Sequence, residues 1–299
     1  MFKVLSRWII LLLAMPGLIG PVHAENSVNE PVNKSLDESP DKEEQPLWEV
    51  RLAAFGRYGS SYPASEESQF NFIPLPFPIY RGRFLRLGDD SEKPIQGRVF
   101  RTDQFQLNID FDLNFGSDAD DIDARTDMSD LDFLLEAGPE LILPFLDSDL
   151  TRGHMELALQ LRGAFSFDGL DPSWRGIVFN PELRWIRPLK QKNQEIKFRL
   201  TPAFASNDYM DYYYGVSPQF ATPSRPEYRA RGGYLGTELT VSLRQPLTRK
   251  LEIWSGVRLG YYGGAKNEDS PLFTQKTTTS VYAAFMYKFW ESKNGASAD

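Results

Sequence analysis

Seven aspartates crowd into residues 118–132, at Asp118, Asp120, Asp121, Asp123, Asp127, Asp130 and Asp132. Carboxylates at this density suit a hard cation, and calcium takes about six to eight oxygen ligands. Asp118, Asp120, Asp121 and Asp123 are the candidate metal ligands. The run lacks the D-x-D-x-D-G register with a closing glutamate, so it is not an EF-hand loop. A solvated acidic loop is the preferred reading, and a cation bridging lipopolysaccharide phosphates is the alternative. No zinc-ligand cluster and no glycine-rich phosphate loop occurs elsewhere in the sequence, so no metal and no cofactor is expected.

Catalytic chemistry finds less support. Downstream of the leader described below, the chain has one histidine, His154, at the start of an amphipathic segment. A nucleophile and its base must be in hydrogen-bond contact, and no serine is evidently placed for it. Lipid hydrolysis by barrels of the kind inferred below acts in the outer leaflet, whereas the connection pattern puts His154 at the opposite end. The expectation is a non-enzyme with no catalytic residues. Two groups remain as recognition candidates. The run Tyr212-Tyr213-Tyr214 would dock a partner or a sugar chain, or else pack a loop onto a rim. Charges of both signs, among them Asp110, Asp112, Glu136, Glu140, Arg162, Arg184 and Arg199, would line a conducting pore or form a cross-strand network that fills a narrow interior. The network is preferred.

Those side chains depend on the elements that carry them. Segment 104–115 reads QFQLNIDFDLNF, with Phe105, Leu107, Ile109, Phe111, Leu113 and Phe115 alternating with polar residues. Side chains of a strand alternate faces, so this is a strand with one apolar and one polar face. Its length is about twice that of an ordinary strand and close to what a tilted strand needs to cross a bilayer. Similar segments recur at 48–58, 69–75, 79–87, 97–101, 132–143, 154–167, 176–186, 195–204, 234–244, 251–262 and 276–289, with a tight turn expected at Pro76 and Pro78. Short connections (102–103, 144–153, 188–193, 245–249) alternate with longer or more polar ones (88–96, 116–131, 168–175, 205–233, 263–275). Outer-membrane barrels have short periplasmic turns, long outer loops and an even strand count. The fold class is therefore all-β: a closed antiparallel transmembrane β-barrel of about twelve strands, with bulges or bends expected at Pro139, Pro181 and Pro202. Tyr58, Tyr80, Trp185, Trp254 and Tyr261-Tyr262 fall near strand ends, as an interfacial girdle would.

Residues 1–24 read as a signal peptide, with Lys3 and Arg7 ahead of an apolar run and a Val22-His23-Ala24 cleavage site. Residues 25–46 are polar and Pro-containing, and read as a disordered acidic lead-in. The barrel then occupies 47–290, and 291–299 form a periplasmic tail. A mean hydropathy of −0.41 would suggest a soluble protein, but alternating faces cancel in any window of a barrel strand. The formal net charge of −8 argues against a nucleic-acid partner. The absence of cysteine argues against a disulfide-stapled domain.

The last strand, VYAAFMYKF, is similar to the signal read by the outer-membrane barrel assembly machinery, with Phe285, Tyr287 and Phe289 at alternate positions. It departs from that pattern by continuing past Phe289. Upstream lie Tyr213, Tyr214, Gly215, Val216 and Ser217, then Arg225-Pro226 with Tyr228, and later Asp269-Ser270-Pro271. Together with the terminal Tyr287-Lys288-Phe289, this series resembles the MipA/OmpV family from about Trp48 to Phe289. The resemblance implies an outer-membrane barrel surrounded by lipid and lipopolysaccharide. It also implies a scaffold role, tying a lytic transglycosylase to a penicillin-binding protein in peptidoglycan remodelling, and brings no catalytic residues. The alternative from the residues themselves is a channel or a surface-exposed binding or adhesion protein.

Overall fold

Period-two alternation is realised as one continuous antiparallel sheet. The computed structural model describes residues 46–81, 86–87, 96–102, 104–147, 153–189 and 194–293. Its strands are β1 (Trp48–Ser60), β2 (Ser68–Arg81), β3 (Arg86–Leu87), β4 (Gln96–Arg101), β5 (Gln106–Asn114) and β6 (Phe133–Asp147). There follow β7 (His154–Asp168), β8 (Asp171–Pro188), β9 (Glu195–Ala205), β10 (Gly233–Pro246), β11 (Leu251–Tyr261) and β12 (Thr277–Glu291). One helix, α1 (Asn207–Tyr214), lies between β9 and β10. Each strand pairs with its chain neighbours and β1 also pairs with β12, so the order of pairing is that of a closed barrel. The ring is thinnest at β3, which contributes two residue pairs to β2 and two to β4. The predicted signal peptide, nearly all of the lead-in and most of the tail lie outside the described residues.

The faces follow the alternation. On β5, Leu107 and Ile109 are exposed on the outside, while Asn108 and Asp110 are buried on the inside. On β12, Phe285, Tyr287 and Phe289 point outward, and Ala284 and Met286 point in. An outward belt of Leu, Ile, Val and aromatic side chains around a polar interior matches hydrocarbon outside and hydrogen-bonding groups inside. The connections after β1, β5, β9 and β11 form a long-loop end, and those after β4, β8 and β10 form a short-turn end beside Trp48.

Four expectations need correction. No turn occurs at Pro76 or Pro78: β2 runs unbroken through Pro74, Pro76 and Pro78, paired with β1 from Ser68 to Tyr80. Prolines of one parity can share an edge whose N–H groups the β1 ladder does not use. The connection at 168–175 is a tight hairpin, because β7 and β8 pair as far as Asp168 and Asp171. Pro139, Pro181 and Pro202 do not cause bulges. Pro181 and Pro202 fall opposite one another where β8–β9 pairing lapses and then resumes in the same register. The bulges lie instead at Val50, Arg98, Pro144, Ala164 and Tyr234. Finally, β12 passes Phe289 and reaches Glu291, so the strand takes in the first residue assigned to the tail.

Candidate functional site

The inward faces of β5 to β8 carry one set of charges, its two arginine clusters linked through Gln160. Arg162 on β7 places Nη1 2.8 Å from Asp110 Oδ2 and donates through Nη2 to Asn180 Oδ1 at 2.8 Å. Its Nε lies 3.0 Å from Glu136 Oε2, an ion pair at an angle poor for a hydrogen bond. Arg184 on β8 holds Glu140, Glu156 (3.2 Å) and Glu182. Glu140 also accepts from Gln160 Nε2 at 2.9 Å and Asn108 Nδ2 at 3.1 Å. Near the short-turn end a second set links Arg81 to Glu49 (3.0 Å), and Arg51 (3.2 Å) and Arg244 (2.9 Å) to Glu252. The deepest groups are nearly dry: Asp110 and Glu140 are 0% exposed, Glu136 2% and Arg162 5%. A buried charge is tolerated when paired and hydrogen-bonded, and these are. Sequence periodicity put Asp110, Glu136, Glu140, Arg162 and Arg184 on the inner face; it missed Glu49, Arg81 and Glu182, which share the same parity.

The long-loop end folds into a cap with its own core. Tyr62, Ile122, Leu131, Met210, Tyr213, Tyr214, Val216 and Leu272, drawn from four loops, pack together. The tyrosine run therefore packs on the rim. Tyr214 hydroxyl donates to Pro63 O at 2.9 Å, Tyr62 hydroxyl to Leu272 O at 2.6 Å, and Ser270 Oγ to Tyr214 O at 2.8 Å. Arg225 reaches Ala124 O and Thr126 O, and Arg125 reaches Tyr213 O. Val216 and Tyr228 form a backbone bridge. Tyr213, Tyr214, Gly215, Val216, Arg225, Tyr228 and Ser270 thus meet in one structural lock, while Ser217, Pro226 and Asp269 are exposed at its edge and Pro271 is half-buried. Gly215 is held to glycine by space: a Cβ there would stand 2.6 Å from Asp211 O. Tyr209 hydroxyl donates to Glu136 Oε1 at 2.7 Å and so joins the cap to the lumen charges.

Burial pushes the Tyr213 and Tyr214 phenols well above the ordinary tyrosine range. A phenol raised in the folded state adds stability below its unfolded value of about pH 10, and that stability is lost as pH climbs beyond it. The cap should hold at about pH 8 and loosen above about pH 10. Tyrosinate absorbance should rise together with loop proteolysis; ionisation of all 13 tyrosines well below the onset of proteolysis would contradict this.

The other sequence candidates are placed as follows. Asp118, Asp120, Asp121 and Asp123 lie on two short 3₁₀ turns with all four side chains exposed. Among the described residues, no group of three or more His, Asp or Glu is gathered to hold a metal ion. Trp254 and Tyr262 do not join a girdle. Both point inward, Trp254 donating to Glu252 Oε1 at 2.9 Å and Tyr262 to Glu238 Oε1 at 3.0 Å. His154 stands at the short-turn end, half-buried, with Nε2 4.0 Å from Glu156.

Solved structures similar to this chain include the translocator domain of autotransporter NalP from Neisseria meningitidis, at 10% identity and a TM-score of 0.44 over 83% of this chain and 90% of that one. A bacterial polysaccharide outer membrane secretin matches at 10% identity and a TM-score of 0.41, over 84% and 100%. Outer membrane phospholipase A from Escherichia coli matches at 10% identity and a TM-score of 0.34, over 84% and 94%. Likenesses this distant say nothing of activity. No curated protein matches the chain. Residues 52–289 match the family described as MltA-interacting protein MipA, and the chain belongs to that family.

Proposed function

We propose that the protein is a closed, membrane-spanning barrel of the bacterial outer membrane, acting as a non-enzymatic scaffold for peptidoglycan-remodelling enzymes. The leader exports the chain, the assembly machinery reads Phe285, Tyr287 and Phe289, the long-loop cap faces outward, and both termini face the periplasm. The observation that carries the scaffold reading over a channel is the burial of the network at Asp110, Glu136, Glu140, Arg162 and Arg184, beside which Asp112, Glu238, Arg244 and Arg258 are part-exposed. A conducting lumen keeps its lining charges in water, whereas Asp110 and Glu140 are fully buried. The family description names an interaction with MltA, which makes a lytic transglycosylase the first partner to test; a penicillin-binding protein is the second. Surface for them exists at the short-turn end, where Leu247, 55% exposed, leads into the exposed Thr248, Arg249 and Lys250.

The detergent-solubilised full chain should be silent in a planar bilayer and should retain a purified lytic transglycosylase on a column. Leu247→Asp combined with Lys250→Glu should lower that retention by roughly tenfold, the scale of one lost apolar anchor and one charge. Steady wild-type conductance with no retained enzyme would overturn the scaffold in favour of the channel.

A further inference from the structure

Two hollows adjoin at the long-loop end of β9 to β12. The first is an outward-facing groove of about 390 Å³, lined by Leu200, Leu239, Leu259 and Tyr261, with Gly260 and Thr277 to Thr279 as its floor. Small residues there lower the wall between flanking leucines that are 39–48% exposed. The second is a polar cleft of about 630 Å³ around Arg229, Arg231 and Lys266. Among the described residues none of these three cations forms an ion pair, and all three are exposed. Asp208 and Asp211 also line the cleft, and Asp211 Oδ1 is occupied by the Ala230 amide at 3.0 Å.

The hollows are joined through the first residues of β10. Lys266 N donates to Tyr234 O at 2.8 Å, and the Tyr234 hydroxyl bonds Thr237 Oγ1, a groove residue, at 2.7 Å. Tyr234 packs on Phe204 at 5.7 Å, and Phe204 on Phe179 at 6.5 Å. Descending the wall, one meets free cations, then aromatic rings, then an aliphatic groove. Aromatic side chains mark the membrane–water interface, and cations just beyond it attract anionic headgroups. A phosphorylated glycolipid presents its groups in the same order, phosphate and sugar above its acyl chains.

We propose that this face is a specific site for a phosphorylated, multiply acylated glycolipid of the outer leaflet. An acyl chain lies in the Leu200–Leu239–Leu259 groove and a phosphate sits at Arg229, Arg231 and Lys266. The site rests on the membrane-spanning reading, and its occupant turns the cap side of the barrel into an anchored surface.

The probe is purified lipid A, added to the folded full chain in a neutral detergent and followed by native mass spectrometry. The wild type should retain one lipid A. Arg229→Gln, Arg231→Gln and Lys266→Gln together should weaken retention by roughly tenfold to a hundredfold, and Leu239→Trp, which fills the groove, should do so independently. Dephosphorylated lipid A should bind like the charge-neutralised variant. Equal retention by wild type and both variants, or complete displacement by millimolar inorganic phosphate, overturns the site; the latter would leave only an anion cleft. Should the triple variant fail to assemble, Leu239→Trp decides alone. A protein that shows strand circular dichroism and heat-modifiable gel mobility but holds no lipid A refutes this inference and leaves the barrel standing.

Discussion

Arg184→Met should cost about 3–5 kcal/mol of folding stability, the range for stranding buried charge by removing its partner. The guanidinium serves Glu140, Glu156 and Glu182 at once. Methionine replaces its bulk but takes one guanidinium away from three carboxylates at once. Glu140 would keep Asn108 and Gln160, and Glu182 would keep the Thr201 hydroxyl at 2.9 Å, so the strands should still pair. Urea unfolding in detergent, followed by tryptophan emission, should show the loss. Adding Glu140→Gln and Glu182→Gln should restore at least about half of it, because neighbouring charges do not act additively. Arg249→Met, in an exposed turn, should change stability by less than about 0.5 kcal/mol. If Arg184→Met costs under about 1 kcal/mol, as an exposed pair would, water fills the lumen and the channel reading gains.

Much of this architecture is legible in the sequence, because a strand states its two faces residue by residue. Asp110 and Asp112 alternate with Ile109 and Phe111, and that alone sends them inward. Trp254 and Tyr262 share the parity of Glu252 and Arg258; position near a strand end misleads where parity does not. Periodicity does not reveal which charges meet. Arg162 and Asp110 are 52 residues apart, and Arg184 and Glu140 are 44 apart, joined only once the ladders fix the register. The prolines of β2 mislead for a related reason: Pro at alternate positions spares a used ladder, and sequence does not say which edge is used. The cap is illegible because its core comes from aperiodic loops. Tyr62, Ile122, Tyr214 and Leu272 lie far apart in the chain and have no shared face until four strands bring their loops together.

Tyr214→Ala should open that cap without opening the barrel. The ring is 1% exposed, packs against Tyr62 at 6.5 Å and Phe273 at 6.2 Å, and anchors its hydroxyl on Pro63 O. Truncating a buried aromatic costs about 3–5 kcal/mol, and the loss falls on the loops, since every strand ladder stays paired. Loosening should first show at Arg229 and Arg231, where the wild-type backbone is held by Asn267 through both Arg231 N and Arg231 O. Trypsin added to intact cells should cut the variant there at a rate at least tenfold above wild type, the scale of a local opening made about 1.4 kcal/mol easier. Far-UV circular dichroism should not change. Tyr214→Phe, which loses one hydrogen bond worth about 1 kcal/mol, should fall between the two. The opened variant should remain silent in a planar bilayer, because the Arg162 and Arg184 ion pairs lie on the barrel wall beneath the cap and none of them runs through Tyr214. Conductance appearing on loss of the Tyr214 ring would instead make the cap the seal, with Tyr209 and Glu136 as the latch between them.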